Sequence, residues 1–165
     1  MRRGLSFAAA TVAAMAAPVL ISPAAHADSG REQISLAFDE PPVTTSVSGL
    51  GPGCPSFQGD LTEYRHVQID GFIGPDGTAH ARSLVTASLE LVPREEDDPS
   101  YTGGYTARQT GMFENAGDDE RVVTTTTHGM LEGSDGTSYG VNEVAHFSLS
   151  KDGTIRAWFD RMHCG

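Results

Sequence analysis

Glu143 interrupts an apolar alternation. In the stretch YGVNEVAHFSL, one side of the two-residue period reads Tyr139, Val141, Glu143, Ala145, Phe147 and Leu149. A carboxylate on such a face can act as a general base, anchor a ligand, or form half of a buried ion pair. Two Asp-Gly turns, at Ser134–Gly136 and Lys151–Gly153, allow the flanking strands to be aligned. Each suits a three-residue hairpin loop with glycine in the left-handed position. The turns then pair Gly133 with Thr137 and Ser150 with Thr154. Stepping outward sets Glu143 opposite Thr127 on one side and Arg161 on the other. Directly opposite residues have Cβ atoms about 4.5–5.5 Å apart, close enough for a bidentate Glu–Arg bridge.

The candidate site is therefore Glu143, Arg161 and Thr127, with Tyr139 further along the same face. Two chemistries fit it. Glu143 could move a proton while Arg161 stabilises charge, as in a cyclase or isomerase. Alternatively, the pair could anchor a small ligand inside the fold. A structural ion pair hydrogen-bonded to Thr127 uses the same residues and does no chemistry.

Other reactive side chains are less promising. Cys54 lies in GPGCP and Cys164 is the penultimate residue, so neither stands on a framework that would orient a base. In an exported chain two cysteines read as one disulfide, closing a loop of about 110 residues. The histidines beyond the expected leader (His66, His80, His128, His146 and His163) show no metal-ligand spacing, and no metal or cofactor is expected. The acidic stretches Arg94–Pro99 and Gly117–Glu120 do not match a calcium loop and read as solvated turns. There is no G-x-S-x-G, P-loop or dinucleotide fingerprint.

These residues must be positioned by strands. Candidates are Ile34–Phe38, Val43–Val47, Leu61–Ile69, Ala79–Val92, Tyr105–Phe113, Arg121–Glu132, Thr137–Ser150 and Thr154–Met162. Turn-forming stretches such as GPDGT, ENAGDDE, GSDGT and KDGT separate them. No window sustains a helical period. The expected fold is all-β: a single antiparallel meander barrel of six to eight strands, with a β-sandwich as the alternative. Inward positions on the aligned strands are small (Ala145, Ala157, Gly129, Thr125, Thr127, with Ala107 and Gly111 in line), which leaves room for a ligand or simply fits a tight barrel. The opposite face carries His128, Met130, Val144, His146, Trp158 and Asp160. The surface around His146 and Trp158 is a third candidate, for a protein partner.

The chain begins with Arg2-Arg3, a small apolar run and Ala25-His26-Ala27, the pattern of a secretory signal peptide cleaved after Ala27. The expected organisation is a leader over 1–27, an N-terminal segment with a Pro/Gly-rich connection over 28–60, and the β-domain over 61–165. The formal net charge is -11, and Lys151 is the one lysine. No basic stripe is present for nucleic acid, and no stable membrane insertion is expected.

From Ile69 to Cys164, YTGGYTARQTG and HGMLEGSDGTSYGVNEVAHFSLSKDGTIRAWFDRMHC resemble a group of small secreted actinobacterial proteins of unknown function. The resemblance implies secretion and supplies no catalytic motif. In architecture alone the pattern is similar to lipocalin-like and allene-oxide-cyclase-like barrels, a likeness that speaks to fold rather than function. The reading that follows is a secreted small β-barrel holding a small apolar or carboxylated ligand.

Overall fold

A computed structural model describes residues 31–54, 56, 58–113, 121–150 and 154–165. The expected leader, the acidic stretch Gly117–Glu120 and the tip of the last turn, Lys151–Gly153, lie outside the described residues.

Eight strands form one antiparallel sheet: β1 (Glu32–Asp39), β2 (Val43–Ser48), β3 (Gln58–Ile73), β4 (Ala79–Pro93), β5 (Tyr101–Phe113), β6 (Arg121–Gly133), β7 (Ser138–Leu149) and β8 (Ile155–Cys164). Their order is β1-β3-β4-β5-β6-β7-β8, with β2 also on β3. The meander from β3 to β8 follows from sequence alternation. In β4, for example, Val85, Ala87, Leu89 and Leu91 are buried while the residues between them face outward.

Strands β1 and β2 behave as one interrupted edge strand. β1 covers His66–Ile73 of β3, and β2 covers Gln58–Glu63. Pro41 and Pro42 fall between them, where a missing N–H and a fixed φ break the ladder. The Glu40 N–H still donates to the Arg65 carbonyl at 3.0 Å, so the chain stays on β3 through the break.

The aligned turns behave as their chemistry requires. Gly74 N–H donates to the Thr78 carbonyl and Gly133 N–H to the Thr137 carbonyl, both at 2.8 Å. Gly77 and Gly136 both take φ of +83°, the left-handed position of each loop. Asp76 and Asp135 accept the Thr78 and Thr137 N–H groups at 3.0 Å. These bonds hold both aspartates below the ordinary carboxylate range.

The sheet curls but does not close as a barrel: among the described residues no strand pairing joins β8 to the β1/β2 edge. The arrangement is compatible with the β-sandwich alternative. At one end, Gly49–Cys54 brings the two edges together. Cys54 and Cys164 form the expected disulfide, and Cys164 N–H donates to the Pro52 carbonyl at 3.1 Å. Gly53 fits because a Cβ there would stand 2.4 Å from the Cys164 carbonyl oxygen. Val47, Leu50, Leu61, Leu91, Tyr101, Leu131 and Val141 pack beneath this seam and fill the disulfide end.

The last hairpin departs from the expected alignment. Ser150 N–H meets the Thr154 carbonyl and Leu149 pairs with Ile155, as the turn dictates. The next pair is Ser148 with Ala157, so Arg156 is an extra residue in β8, a β-bulge. Because side chains alternate, this one-residue shift turns the rest of β8 over. Glu143 pairs with Met162, and Arg161 pairs with Val144 and is exposed. Ala157 and Phe159 go to the outer face; Trp158 and Asp160 go to the inner one. The expected Glu143–Arg161 bridge is therefore absent. The shift also carries Cys164 inward, where it is buried.

Candidate functional site

The inward face is graded from end to end. Beyond the packed disulfide end runs a belt of buried polar side chains: Glu63 and Arg65 (β3), Ser83 (β4), Tyr105 and Gln109 (β5), Thr125 and Thr127 (β6), and Glu143 (β7). Beyond the belt, toward the β3–β4 turn, most inward positions become small or part-exposed (Gly71, Ala81, Gly111, Ala145 and Phe147), while Val123 between Gly111 and Phe147 stays buried.

One polar group centres on Arg65. Its guanidinium bonds Glu63 on the same strand and Glu40 at 3.3 Å from the β1–β2 break. Tyr105 O–H donates to the other Glu63 oxygen at 3.0 Å. Burial works against the Arg65 charge, but the surrounding negative groups hold it above its ordinary value. Burial, with the Glu63 charge beside it, drives the Tyr105 hydroxyl far up, so it stays a neutral donor. The Arg65 Nε is buried without a hydrogen-bond partner.

A second group crosses β4, β5 and β6. Ser83 O–H donates to the Gln109 side-chain oxygen at 3.2 Å, and the Gln109 amide donates to Thr125 at 3.3 Å. A third crosses β6, β7 and β8. Thr127 O–H donates to Glu143 at 3.2 Å, and the inward Asp160 of β8 lies diagonally across the ladder from Glu143. Glu143 is 1% exposed. Burial pushes the Asp160 carboxyl above the ordinary carboxylate range, and the neighbouring Glu143 offsets only part of that. The Asp160 Oδ1 is also buried without a hydrogen-bond partner.

Of the residues singled out from the sequence, Glu143 and Thr127 meet as expected. Met162 takes the place expected for Arg161 opposite Glu143, and Asp160, expected on the outer face, turns inward opposite Ala145. Tyr139 lies at the packed end, edge-on to Tyr101 with ring centroids 5.9 Å apart, and acts in packing. His146 stacks on Phe159, its partner in the β7–β8 ladder, and shares a 2.9 Å hydrogen bond with Thr124, while Trp158 lies on the other face. Trp158 meets Phe147 edge to face on the inner side.

The Glu63–Arg65–Tyr105 group was missed. Its signal is of the same kind that marks Glu143: charge inside the apolar alternation Leu61, Glu63, Arg65, Val67. Among the described residues no three His, Cys, Asp or Glu side chains are grouped to hold a metal ion. No protein-family model, curated protein or solved structure matches the chain. The disulfide is compatible with an oxidising, extracellular compartment.

Proposed function

We propose that the chain is an exported binding module that takes a small apolar ligand into its curled sheet through the end opposite the disulfide. One observation carries this reading: Trp158 lies on the core-facing side of β8 yet is 57% exposed. An inward tryptophan in contact with solvent, next to Phe147 and above small residues, lines an opening rather than a filled core. The polar belt below supplies groups that could orient a guest.

Charge narrows the guest's chemistry. The inner face carries the carboxyls of Glu63, Glu143 and Asp160, and the Arg65 guanidinium there is engaged with Glu63 and Glu40. A carboxylated ligand would add negative charge to a low-dielectric space already rich in it. The reading therefore favours a neutral or cationic molecule. A cyclase or isomerase role pairing Glu143 with Arg161 loses its geometry, since the two residues face opposite sides of the sheet.

Trp158 is the chain's one tryptophan, so its fluorescence reports directly on the opening. Titration with a straight-chain alcohol, the matching alkylammonium and the matching carboxylate is expected to blue-shift emission with the first two and not the third. No shift with any of them, together with no retained mass in native mass spectrometry of the secreted protein, removes the reading. Intact mass of exported material tests the leader, with Asp28 expected as the first residue.

The outer surface supports a second reading, in which a protein docks on β7 and β8. Val144 and Phe159 are exposed there, with Phe159 on the His146 ring. Phe159→Ser would abolish such binding and leave the Trp158 titration unchanged.

A further inference from the structure

Strand β8 is an edge strand: among the described residues its one strand neighbour is β7. The bonds at its end fix which of its backbone groups are left over. Gly140 and Gly165 exchange both of their N–H and C=O groups, at 2.7 and 3.0 Å. In an antiparallel ladder such exchanging pairs alternate with pairs that exchange none. Counting along the β7–β8 register, Asn142–His163, Val144–Arg161 and His146–Phe159 are the exchanging pairs. Trp158, Asp160, Met162 and Cys164 therefore point their N–H and C=O groups away from β7, off the open edge. Cys164 agrees with this parity, because its N–H donates to the Pro52 carbonyl. The side chains of the same four residues turn inward.

The edge groups of Trp158, Asp160 and Met162 form a template for one more strand, about 14 Å long at ordinary strand rise. The Gly49–Cys54 segment stops it at one end. Pro52 already holds Cys164, and Gly51 lies against Met162, where a Cβ on the glycine would stand 3.7 Å from the Met162 Cγ. The opposite edge of the sheet is broken by Pro41 and Pro42, a guard that natural sheet edges use. From Ala157 to Met162, β8 has no proline, no lysine and no bulge.

We propose that this edge binds an extended peptide segment of another protein by strand addition, and that the segment carries a lysine with apolar residues two positions to either side. Residues of an added strand that exchange bonds with Trp158, Asp160 and Met162 stand directly opposite them and share their inward face. Trp158 is exposed and Met162 part-buried, so apolar side chains fit opposite both. Opposite Asp160 a donor fits, because this part-buried residue has an Oδ1 with no hydrogen-bond partner. A cationic donor also fits the surrounding charge. The inner wall carries the carboxyls of Glu63 and Glu143 as well as Asp160, and the formal net charge of the chain is -11. Asp160 discriminates against a second copy of the chain. In the fully overlapping antiparallel register, β8 on β8 sets Asp160 opposite Asp160, a repulsive pairing. The site is built on edge backbone, so it can fail while the interior still takes a small guest, and the reverse.

The probe is acetyl-Thr-Val-Thr-Lys-Thr-Leu-Thr-amide. Antiparallel to β8, it sets its valine, lysine and leucine opposite Met162, Asp160 and Trp158. Amide hydrogen exchange by NMR on the whole oxidised protein, corrected for intrinsic rates, reads the edge residue by residue. Without peptide, Trp158, Asp160 and Met162 should exchange several-fold faster than Phe159, Arg161 and His163. The peptide should protect the first three several-fold and leave the others nearly unchanged. N-methylating the peptide at valine, lysine and leucine should abolish this effect, and N-methylating it at the internal threonines should preserve it. Glutamate in place of the peptide's lysine should weaken binding several-fold, and Asp160→Lys should reverse that preference.

No protection by the peptide, equal loss from both N-methylation patterns, or equal binding of the lysine and glutamate peptides overturns the proposal. So does protection of the same three amides that rises with protein concentration in the absence of peptide, which would mark the edge as an interface between copies. If Asp160→Lys does not fold, the two N-methylated peptides decide on the native protein.

Discussion

Replacing both cysteines, as Cys54→Ala/Cys164→Ala, should destabilise the protein by ~5 kcal/mol. The bonded residues are 110 apart in sequence. In the chain-entropy model a loop of that length restricts the unfolded chain by about 16 cal/mol/K, or ~4.8 kcal/mol at 25 °C. Little compensates among the described residues, where the edges meet at this seam through one backbone hydrogen bond, from Cys164 to Pro52, and not through a strand ladder. Domains unfold with an entropy of roughly 2 cal/mol/K per residue, so for a chain of this size the melting temperature should fall by roughly 15 °C. Urea unfolding of the oxidised protein and the variant supplies the check. If the bond acts on the unfolded chain, the variant should also show a larger m-value, since its unfolded state can expand further. A loss below ~2 kcal/mol with an unchanged m-value would refute the reasoning. It would mean that the unfolded chain is already constrained or that the native seam is strained.

Three further outcomes follow from the polar belt and the turns. Arg65→Ala leaves Glu63 buried without its cation and should cost ~3–5 kcal/mol in urea unfolding, whereas Glu63→Gln/Arg65→Met should recover much of that loss. Arg161→Ala removes an exposed side chain and should change stability by no more than ~0.5 kcal/mol in the same assay; a loss of several kcal/mol would restore the Glu143–Arg161 alignment. Asp76 and Asp135 are held below 3.8 by bonds to Thr78 and Thr137, so their contribution is present above that value and lost as pH falls through their lowered ones. Asp76→Asn/Asp135→Asn should flatten the acid limb of the stability profile.

Local chemistry made the centre of the sheet legible. Strand alternation and the Gly-x-Asp-Gly-Thr turn place Leu131 opposite Tyr139 and Thr127 opposite Glu143, as the β6–β7 ladder has them. The limits were reached wherever a non-local constraint overrode the local one. Nothing near Pro41-Pro42 says that the segments on either side share one edge of β3. The Arg156 bulge leaves no turn residue to announce it. The sequence did contain a conflict: Arg161 and Cys164 differ in parity, so a regular strand cannot turn both inward. The inward cysteine and the inward arginine were incompatible readings, and the structure keeps the cysteine.

That parity gives the disulfide a role in addition to closing the seam. Two alignments of β7 against β8 are compatible with the Ser150–Thr154 turn. The regular one buries Arg161 beside Glu143 and turns Cys164 outward. The bulged one exposes Arg161 and aims Cys164 at Cys54. Oxidation removes the first from the competition, so the bond acts as a selector between alignments. The bulge and the bond are thus two halves of one arrangement: a regular β8 would leave Cys164 facing away from Cys54.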